Sequence, residues 1–246
     1  KRFLPNYQKT CKPFTMKIWD KGYSIEDKIT QFTVGDDLAY DLQLARYDVL
    51  GSLAHMHMLR DTGLISKEDA EALDKALNQL LEEIAAGDFK IEPEFEDIHS
   101  KVEYELTKRT GDAGKKIHTA RSRNDQILVD LHLFVKDALT DIQDLTLKLF
   151  DRLLLLSETH KDHLLPGYTH FQIAMPSSFG LWFGAYAEAL IDDMELVHAA
   201  RRISDQNPLG SAAGYGSSFP INRAQTTEAL NFRTMKYNVV AAQMSR

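Results

Sequence analysis

The longest periodic pattern of apolar residues lies in the middle of the chain. Its members recur at alternating spacings of three and four residues: Leu131, Val135, Ala138, Ile142, Leu145, Leu149, Leu153 and Leu156. This spacing is typical of a helix packed along its length against other helices. No glycine or proline interrupts residues 125–160, so we predict one helix of roughly 50 Å. A helix of that length predicts an elongated bundle, whose apolar seam often needs partner chains as well.

Shorter periodic patterns predict further helices on both sides of this segment. They cover residues 37–60, 66–86, about 96–109, 177–203 and 222–230. Ser66 and the acidic residues after it predict a capped start for the second of these helices, and Gly87 predicts its end. No segment longer than four residues alternates with a strand period, and no repeat of 20–50 residues is present. The predicted fold class is therefore all-α, with an N-terminal helical domain followed by an elongated bundle of long helices.

Three domains or segments follow from these patterns. Residues 1–15 carry Lys1, Arg2, Lys9 and Lys12 without an acidic residue or a periodic apolar pattern. They predict a disordered or non-native extension, although a short targeting segment stays open. Residues 16–111 form the predicted N-terminal helical domain, and residues 112–246 form the first part of the bundle domain.

Composition narrows the class of protein. Hydrophobic residues make up 43% of the chain and charged residues 26%, which is ordinary for a soluble globular protein. The formal net charge of −7 argues against a general nucleic-acid partner. The one cysteine, Cys11, fits a reducing compartment, and no apolar run approaches the roughly 20 residues that span a bilayer. We expect a cytoplasmic protein with neither a nucleic-acid nor a membrane partner.

One polar cluster marks the predicted start of the long helix. Residues 118–126 read His-Thr-Ala-Arg-Ser-Arg-Asn-Asp-Gln. The last six of them hold two guanidiniums, a hydroxyl and two side-chain amides. Arginines pair bidentately with carboxylates, and amides at a helix start add donors. An anion site is one interpretation. The other interpretation, which the residue types alone leave open, is a solvated helix start with surface ion pairs.

A second polar cluster lies in the break after the long helix. Residues 167–172 read Gly-Tyr-Thr-His-Phe-Gln, and the imidazole of His170 suits proton transfer near neutral pH. A histidine taken alone is more often structural, but a short break between long helices is where a bundle opens a polar pocket. The two clusters together predict acid–base chemistry on a small molecule with several carboxylates.

Two other patterns favour no site. The spacing of His160 and His163, near Glu158 and Asp162, resembles a metal set, but the charged composition of a helix end explains it equally well. The Gly-rich loop 210–216 lacks the Lys-Ser/Thr ending of a phosphate-binding P-loop. We predict no metal, and a bend or flexible hinge at that loop.

The two polar clusters resemble motifs of the argininosuccinate lyase family, within the wider fumarase and aspartase superfamily. Residues 118–126 are similar to the family's hallmark segment, and residues 165–172 are similar to its second motif. Residues 96–99 (Glu-Asp-Ile-His) and 208–211 (Pro-Leu-Gly-Ser) match two further segments. The similarity extends from about Trp19 to the last residue, and the first motif is highly specific.

The resemblance implies a reaction and an assembly. The reaction is the reversible elimination that converts argininosuccinate to arginine and fumarate, without a cofactor, and the assembly is a homotetramer whose active sites combine several subunits. Ser122, Arg123 and Asn124 would bind the substrate carboxylates, together with Thr169. His170 would be the proton-transfer residue. Three more residues complete the implied site: Asp41 and Arg223 would contact the arginine half, and His99 would shape the pocket.

The chain departs from the family at its end. It stops at Arg246, before the flexible loop that carries the catalytic serine base of the family. We therefore expect a fragment or a truncated product that is inactive alone, because losing one member of an acid–base pair costs orders of magnitude in rate. Two alternatives stay open: a lyase for another succinyl adduct such as adenylosuccinate, and a non-catalytic bundle protein like the family's lens crystallins.

Overall fold

The structure, a computed structural model, describes Phe32 and residues 35–245. It is mostly helical, so the predicted all-α class is confirmed. The predictions for residues 1–15, and for a domain start at residue 16, lie outside the described residues. The chain divides into two compact units, which are described separately.

The first unit holds the residues up to Arg123, together with Phe219–Ile221. Its helices are α1 (Asp37–Asp41), α2 (Ala45–Asp61), α3 (Lys67–Ala86), α4 (Ile98–Thr110) and α5 (Asp112–Lys116). The single helix predicted over 37–60 is wrong in detail, because a 3-10 turn at Leu42–Leu44 separates α1 from α2. Helix α5, which the sequence patterns did not predict, begins directly after Gly111.

The ends of α3 and α4 follow from their capping residues. The Ser66 hydroxyl accepts a hydrogen bond from the Asp69 N–H, and Gly87 ends α3 with a φ of +78°; both features were predicted. In the same way the Asp97 carboxylate accepts from the Ser100 N–H at the start of α4. Asp97 therefore determines where α4 begins.

The core of the first unit is built from the apolar faces of α2, α3 and α4. Met56, Leu59, Leu73, Leu77, Leu80, Ile98 and Leu106 are all fully buried members of it. Helix α5 packs tightly on α4, because a Cβ on Gly114 would lie only 2.5 Å from Thr107 Cα. These contacts make a firm platform for the loop that follows α5.

The second unit holds residues 124–218 and 222–246. Its elements are α6 (Arg123–Thr159), β1 (Leu164–Thr169), β2 (Gln172–Ser178), α7 (Phe179–Ser204), β3 (Gln206–Asn207), α8 (Arg223–Ala229), β4 (Thr234–Met235) and α9 (Val239–Met244). Helix α6 confirms the predicted long helix. Its 37 residues correspond to roughly 55 Å at the standard helical rise.

The break between the two long helices is a β-hairpin, which the sequence patterns did not predict. Strands β1 and β2 pair antiparallel, from Leu164 opposite Ser178 to Thr169 opposite Gln172. His170 and Phe171 form the two-residue turn, with φ values of +49° and +62°. Positive φ at both positions is the mark of a type I′ turn, which normally uses Asn-Gly. A proline in each strand, Pro166 opposite Pro176, is tolerated because a two-stranded sheet has only edges.

The middle of the predicted seam of α6 is exposed within the described residues, whereas its two ends are half-buried. Ile142, Leu145 and Leu149 are 47%, 64% and 50% exposed. At its C-terminal end α6 does pack on α7, where the Ser157 hydroxyl donates to the Gly180 carbonyl oxygen over 2.7 Å. Among the described residues, no helix combines the length and apolar character needed to cross a membrane. The sequence-based domain division at 111/112 stays a prediction; the compact units divide at 123/124.

Candidate active site

The hallmark segment changes from loop to helix as predicted. Helix α6 begins at Arg123, directly after a tight turn in which Ala120 has a φ of +59°. Arg121 is buried, Ser122 and Arg123 are half-buried, and Asn124 is exposed. Residues 122–124 are therefore accessible to a ligand, while Arg121 directly before them is held inside.

Arg123 is paired with the capping residue of α4. Its Nη1 donates to Asp97 Oδ2 and also to the Ser100 hydroxyl, over 3.1 Å in the second case. The other Asp97 oxygen, Oδ1, accepts from both the N–H and the hydroxyl of Ser100, at 2.8 Å each. The carboxylate thus binds Arg123 to the start of α4, within the first unit.

Asp41 and His99 lie beside this pair. Asp41 Oδ2 accepts from the Ile98 N–H over 3.4 Å. The His99 ring is 3% exposed, with Nδ1 at 3.6 Å from Asp97 Oδ2 and Nε2 at 4.0 Å from Asp48 Oδ1. The structure therefore brings three of the predicted site residues, Asp41, His99 and Arg123, to the N-terminus of α4.

The carboxylates of Asp41 and Asp97 respond differently to their surroundings. Burial raises the pKa of Asp41 above its ordinary value, and the Ile98 N–H offsets only part of that effect. Burial would also raise the pKa of Asp97, but the His99 ring, the Ser100 N–H and the Arg123 charge outweigh it, so that this pKa lies well below its usual range. Asp97 is consequently an anion at neutral pH, and it orients Arg123.

The sequence patterns did not indicate Asp97 as a functional residue, although it stands in the quoted motif at 96–99. A signal was present, because an Asp directly before an apolar helix pattern is a strong N-cap. Its pairing with Arg123, 26 residues away, carried no signal in the local pattern.

In the second unit, Asp125 binds the Gly-rich loop. Asp125 is fully buried, and its Oδ2 accepts from the Gly210 N–H and the Ala212 N–H at 2.9 Å each. Gln243 adds hydrogen bonds to the Ser211 hydroxyl and the Ala212 carbonyl. The loop amides are thus occupied by a protein carboxylate. The loop forms a bend, one of the two alternatives predicted, and these hydrogen bonds tie it down at its buried residues.

Arg223 supports the same loop. Its Nε donates to the Leu209 carbonyl over 2.9 Å, and its Nη2 lies 3.4 Å from the Asn207 carbonyl. Gly210 has a φ of +89°, and a Cβ there would meet Arg223 Cγ at 2.7 Å. Glycine is therefore required by both backbone and space. At least one edge of the Arg223 guanidinium serves the fold rather than a ligand.

Thr169 and His170 lie at the far side of the second unit from Asn124. Both are exposed, at the end of β1 and in the hairpin turn. Asn124 is at one end of the roughly 55 Å helix α6, and the hairpin begins after the other end. Even a hairpin folded straight back would leave about 20 Å between Asn124 and His170. One chain does not bring these two predicted site residues together.

His160 and His163 form a hydrogen-bonded pair near the hairpin base. Their Nδ1 atoms lie 3.0 Å apart, so one ring donates to the other. Two imidazoles provide fewer ligands than the three or four protein groups of typical zinc sites. The pair closes the turn between α6 and β1, where the Phe179 N–H also bonds to the His163 carbonyl.

Comparison with known proteins identifies the family of this chain. A family model described as Lyase matches residues 26–246, and the chain belongs to this family. The resemblance read from the motifs is thereby confirmed. Curated argininosuccinate lyases from Parabacteroides distasonis and Bacteroides thetaiotaomicron are each 55% identical over 230 residues, which cover 94% of this chain and 52% of each relative. The argininosuccinate lyase of Thermotoga neapolitana is 42% identical, over 94% of this chain and 58% of that relative.

Solved structures support the fold alone. EDDS lyase in complex with formate superposes with a TM-score of 0.73 at 23% identity, over 89% of this chain and 44% of that one. A fumarate lyase:delta crystallin from Brucella melitensis gives a TM-score of 0.71 at 14% identity, over 84% and 50%. The chain spans about half the length of the curated relatives it matches.

Proposed function

We propose that the complete protein is an argininosuccinate lyase, which eliminates arginine from argininosuccinate and releases fumarate in the cytoplasm. The observation that carries the proposal is the 55% identity to curated argininosuccinate lyases across 94% of this chain. The hallmark segment lies within the matched region and starts α6, with its donors half-buried or exposed beside a fixed carboxylate.

The chemistry requires donors aimed at a growing negative charge. Removal of a proton from the carbon next to a succinyl carboxylate places charge on that carboxylate, and preorganised donors stabilise it. Ser122 and Asn124 supply neutral donors, and Arg123 supplies positive charge. Because Asp97 binds one Nη of Arg123, the guanidinium is held in one orientation before substrate arrives, which lowers the cost of organising the site.

The arginine half of the substrate needs different partners. Asp41 offers a carboxylate beside the N-terminus of α4, suited to the guanidinium of the substrate. His99, buried next to it, shapes the pocket wall rather than entering it. We also assign Arg223 to substrate contact, through the part of its guanidinium that does not face residues 207–209.

Proton transfer is assigned to His170, with Thr169 as a donor beside it. Both residues stand on an exposed hairpin, about 20 Å or more from Asn124 of the same chain. A substrate held by Asn124 therefore needs the hairpin of another copy. We propose a homotetramer with shared active sites, which also gives the exposed apolar residues of α6 a partner.

The test is fumarate release by the full-length protein, followed by ultraviolet absorbance. His170→Asn suits the left-handed turn better than alanine, since asparagine tolerates positive φ. Loss of a general acid or base typically costs about 10²–10⁴-fold, and we expect a fall of that size. Phe171→Asn, with the same change at the neighbouring turn position, is the control and should keep activity within about threefold.

Asn124→Ala should also abolish fumarate production while helicity, measured by circular dichroism, stays intact. Wild-type turnover in His170→Asn or Asn124→Ala would contradict the site assignment. Fumarate release from adenylosuccinate but not from argininosuccinate would contradict the substrate.

A further inference from the structure

The turn at residues 119–121, just before Arg123, is anchored by two side chains of helix α2. The His55 ring contacts the Thr119 carbonyl oxygen through Nε2 at 2.9 Å. Arg121 Nη1 donates to the Ser52 hydroxyl over 3.0 Å. Ser52 and His55 are one turn apart on α2, and the residue between the two anchored positions is Ala120, with a φ of +59°.

The left-handed conformation of Ala120 is not stable by itself. A left-handed conformation costs a residue with a Cβ about 1–2 kcal/mol, so it persists only where its surroundings determine it. Backbone hydrogen bonds from Thr119 N to the Lys116 carbonyl and from Arg121 N to the His118 carbonyl close the turn. The two α2 side chains then fix the turn against the core of the first unit.

Burial fixes the chemical state of the anchors. Ser52 is 0% exposed, His55 1% and Arg121 8%. Burial, and after it the charge of Arg121, lower the pKa of His55 to about 3. The ring is therefore neutral at physiological pH and, to bond a carbonyl, carries its proton on Nε2. The His55 Nδ1 and Arg121 Nε atoms are buried without a hydrogen-bond partner among the described residues.

We propose that Ser52 and His55 are positioning residues for the carboxylate-binding segment. They hold the backbone reversal at Ala120, and the reversal sets where Ser122 and Arg123 lie relative to Asp97. This inference rests on the proposed function for its kinetic consequence. The anchoring itself belongs to the first unit and is measurable without turnover.

The kinetic experiment compares two His55 variants in the full-length protein. His55→Gln places an amide N–H near the position of Nε2, whereas His55→Leu keeps volume and removes the donor. In the proposed site Ser122 and Arg123 contact the substrate carboxylate in the ground state and bind it more strongly as its charge grows, so their displacement should raise KM and lower kcat. We expect His55→Leu to raise KM for argininosuccinate at least about tenfold and to lower kcat as well, and His55→Gln to restore both to within about threefold of the wild-type values.

The matched control is His57→Leu, two residues along α2, where the ring pairs with Asp74 at 38% exposure. It should leave KM unchanged. Ser52→Ala removes a single oxygen, and keeps the proposal testable if His55→Leu fails to fold. It should raise KM about three- to tenfold, as the loss of one hydrogen bond does.

Hydrogen–deuterium exchange measures the anchoring separately from activity. In His55→Leu the amides of residues 120–123 should exchange at least about tenfold faster, with those of α3 unchanged. If the wild type forms no fumarate, the proposed function fails while this measurement still decides the anchoring. Wild-type exchange and KM in His55→Leu, or equal impairment in His55→Leu and His55→Gln, would overturn the proposal.

Discussion

The pairing of Arg123 with Asp97 decides how this arginine can act. A guanidinium has five N–H donors, and Nη1 is directed at Asp97 and Ser100. The pair is partly buried, with side-chain exposures of 24% and 16%, so it is less screened than a surface ion pair. Arg123 is therefore a fixed and partly neutralised charge.

The substitution Asp97→Asn measures how much the ion pair with Arg123 contributes to the free energy of unfolding. Asparagine keeps an oxygen for the Ser100 N–H, so the start of α4 should survive while the ion pair with Arg123 is lost. We expect the free energy of unfolding in urea to fall by about 2 kcal/mol, as for other hydrogen bonds to charged groups. The control is Asp112→Asn, whose partner Lys115 is exposed; it should have no measurable effect. Equal stabilities for Asp97→Asn and wild type would contradict the pairing.

His55 predicts a pH dependence of stability. Its pKa falls from the ordinary 6.5 to about 3 in the folded protein, because of burial and then of Arg121. Between these values the unfolded chain binds the proton and the folded chain does not. The free energy of unfolding should therefore decrease as the pH falls from 6.5 towards 3, by up to about 1.4 kcal/mol per unit.

The measurement is urea denaturation at pH 7, 6 and 5. His55→Gln lacks the titrating group. As the pH falls, its free energy of unfolding should therefore decrease by about 1 kcal/mol per pH unit less than that of the wild type. The carboxylates are the same in both proteins, and their contribution cancels in the difference. Parallel pH profiles would show that His55 does not titrate as its burial requires.

At the scale of elements, the helices were predictable and the hairpin was not. Apolar periodicity, with a cap at Ser66 and a glycine at 87, located α3 almost to the residue. The hairpin lacked such signals: Gly167, Pro166 and Pro176 disfavour strands, and its His-Phe turn is not a usual type I′ pair. Pairing across two edges, rather than strand propensity, defines it. The 3-10 turn at Leu42–Leu44 is likewise invisible to a pattern of apolar spacing.

The close contact between the ends of α6 and α7 predicts the effect of a substitution at Gly180. A Cβ on Gly180 would lie 2.5 Å from Lys161 Cα and 2.7 Å from the Ser157 carbonyl oxygen, which are backbone atoms. Gly180→Ala should therefore force the helix ends apart and lower the free energy of unfolding by about 1–3 kcal/mol.

Gly184→Ala is the matched control for that change. Its Cβ would meet only the Ser157 hydroxyl, at 3.3 Å, and a side chain can turn away. Alanine also favours the helix by about 1 kcal/mol over glycine, so this variant should be as stable as wild type or more so. Urea denaturation of both variants is the measurement. A Gly180→Ala variant as stable as Gly184→Ala would show that the close approach is relieved at no cost.

At the scale of the whole molecule, the candidate site is divided along the chain. Asp41, His99 and Arg123 meet at the start of α4, whereas Thr169 and His170 lie on the hairpin that follows the other end of α6. Periodicity predicted the length of α6, and that length is what separates Asn124 from His170. Hydrogen bonds between distant segments could not be predicted from the sequence. Asp125 and Gly210, for example, are 85 residues apart, and the local spacing of residues does not indicate their contact.

A shared site predicts that two inactive variants restore each other. In a mixture of full-length Asn124→Ala and His170→Asn, unfolded together and reassembled, some sites draw both unaltered residues from different subunits. If subunits combine at random, roughly a quarter of the sites are complete, so roughly a quarter of the wild-type rate of fumarate release should return. The control mixes Ser122→Ala with Asn124→Ala, two changes in one segment, and should stay at the level of the separate variants. No recovery in the first mixture, with reassembled oligomers verified by sedimentation, would mean that one subunit supplies both residues, against the roughly 55 Å length of α6.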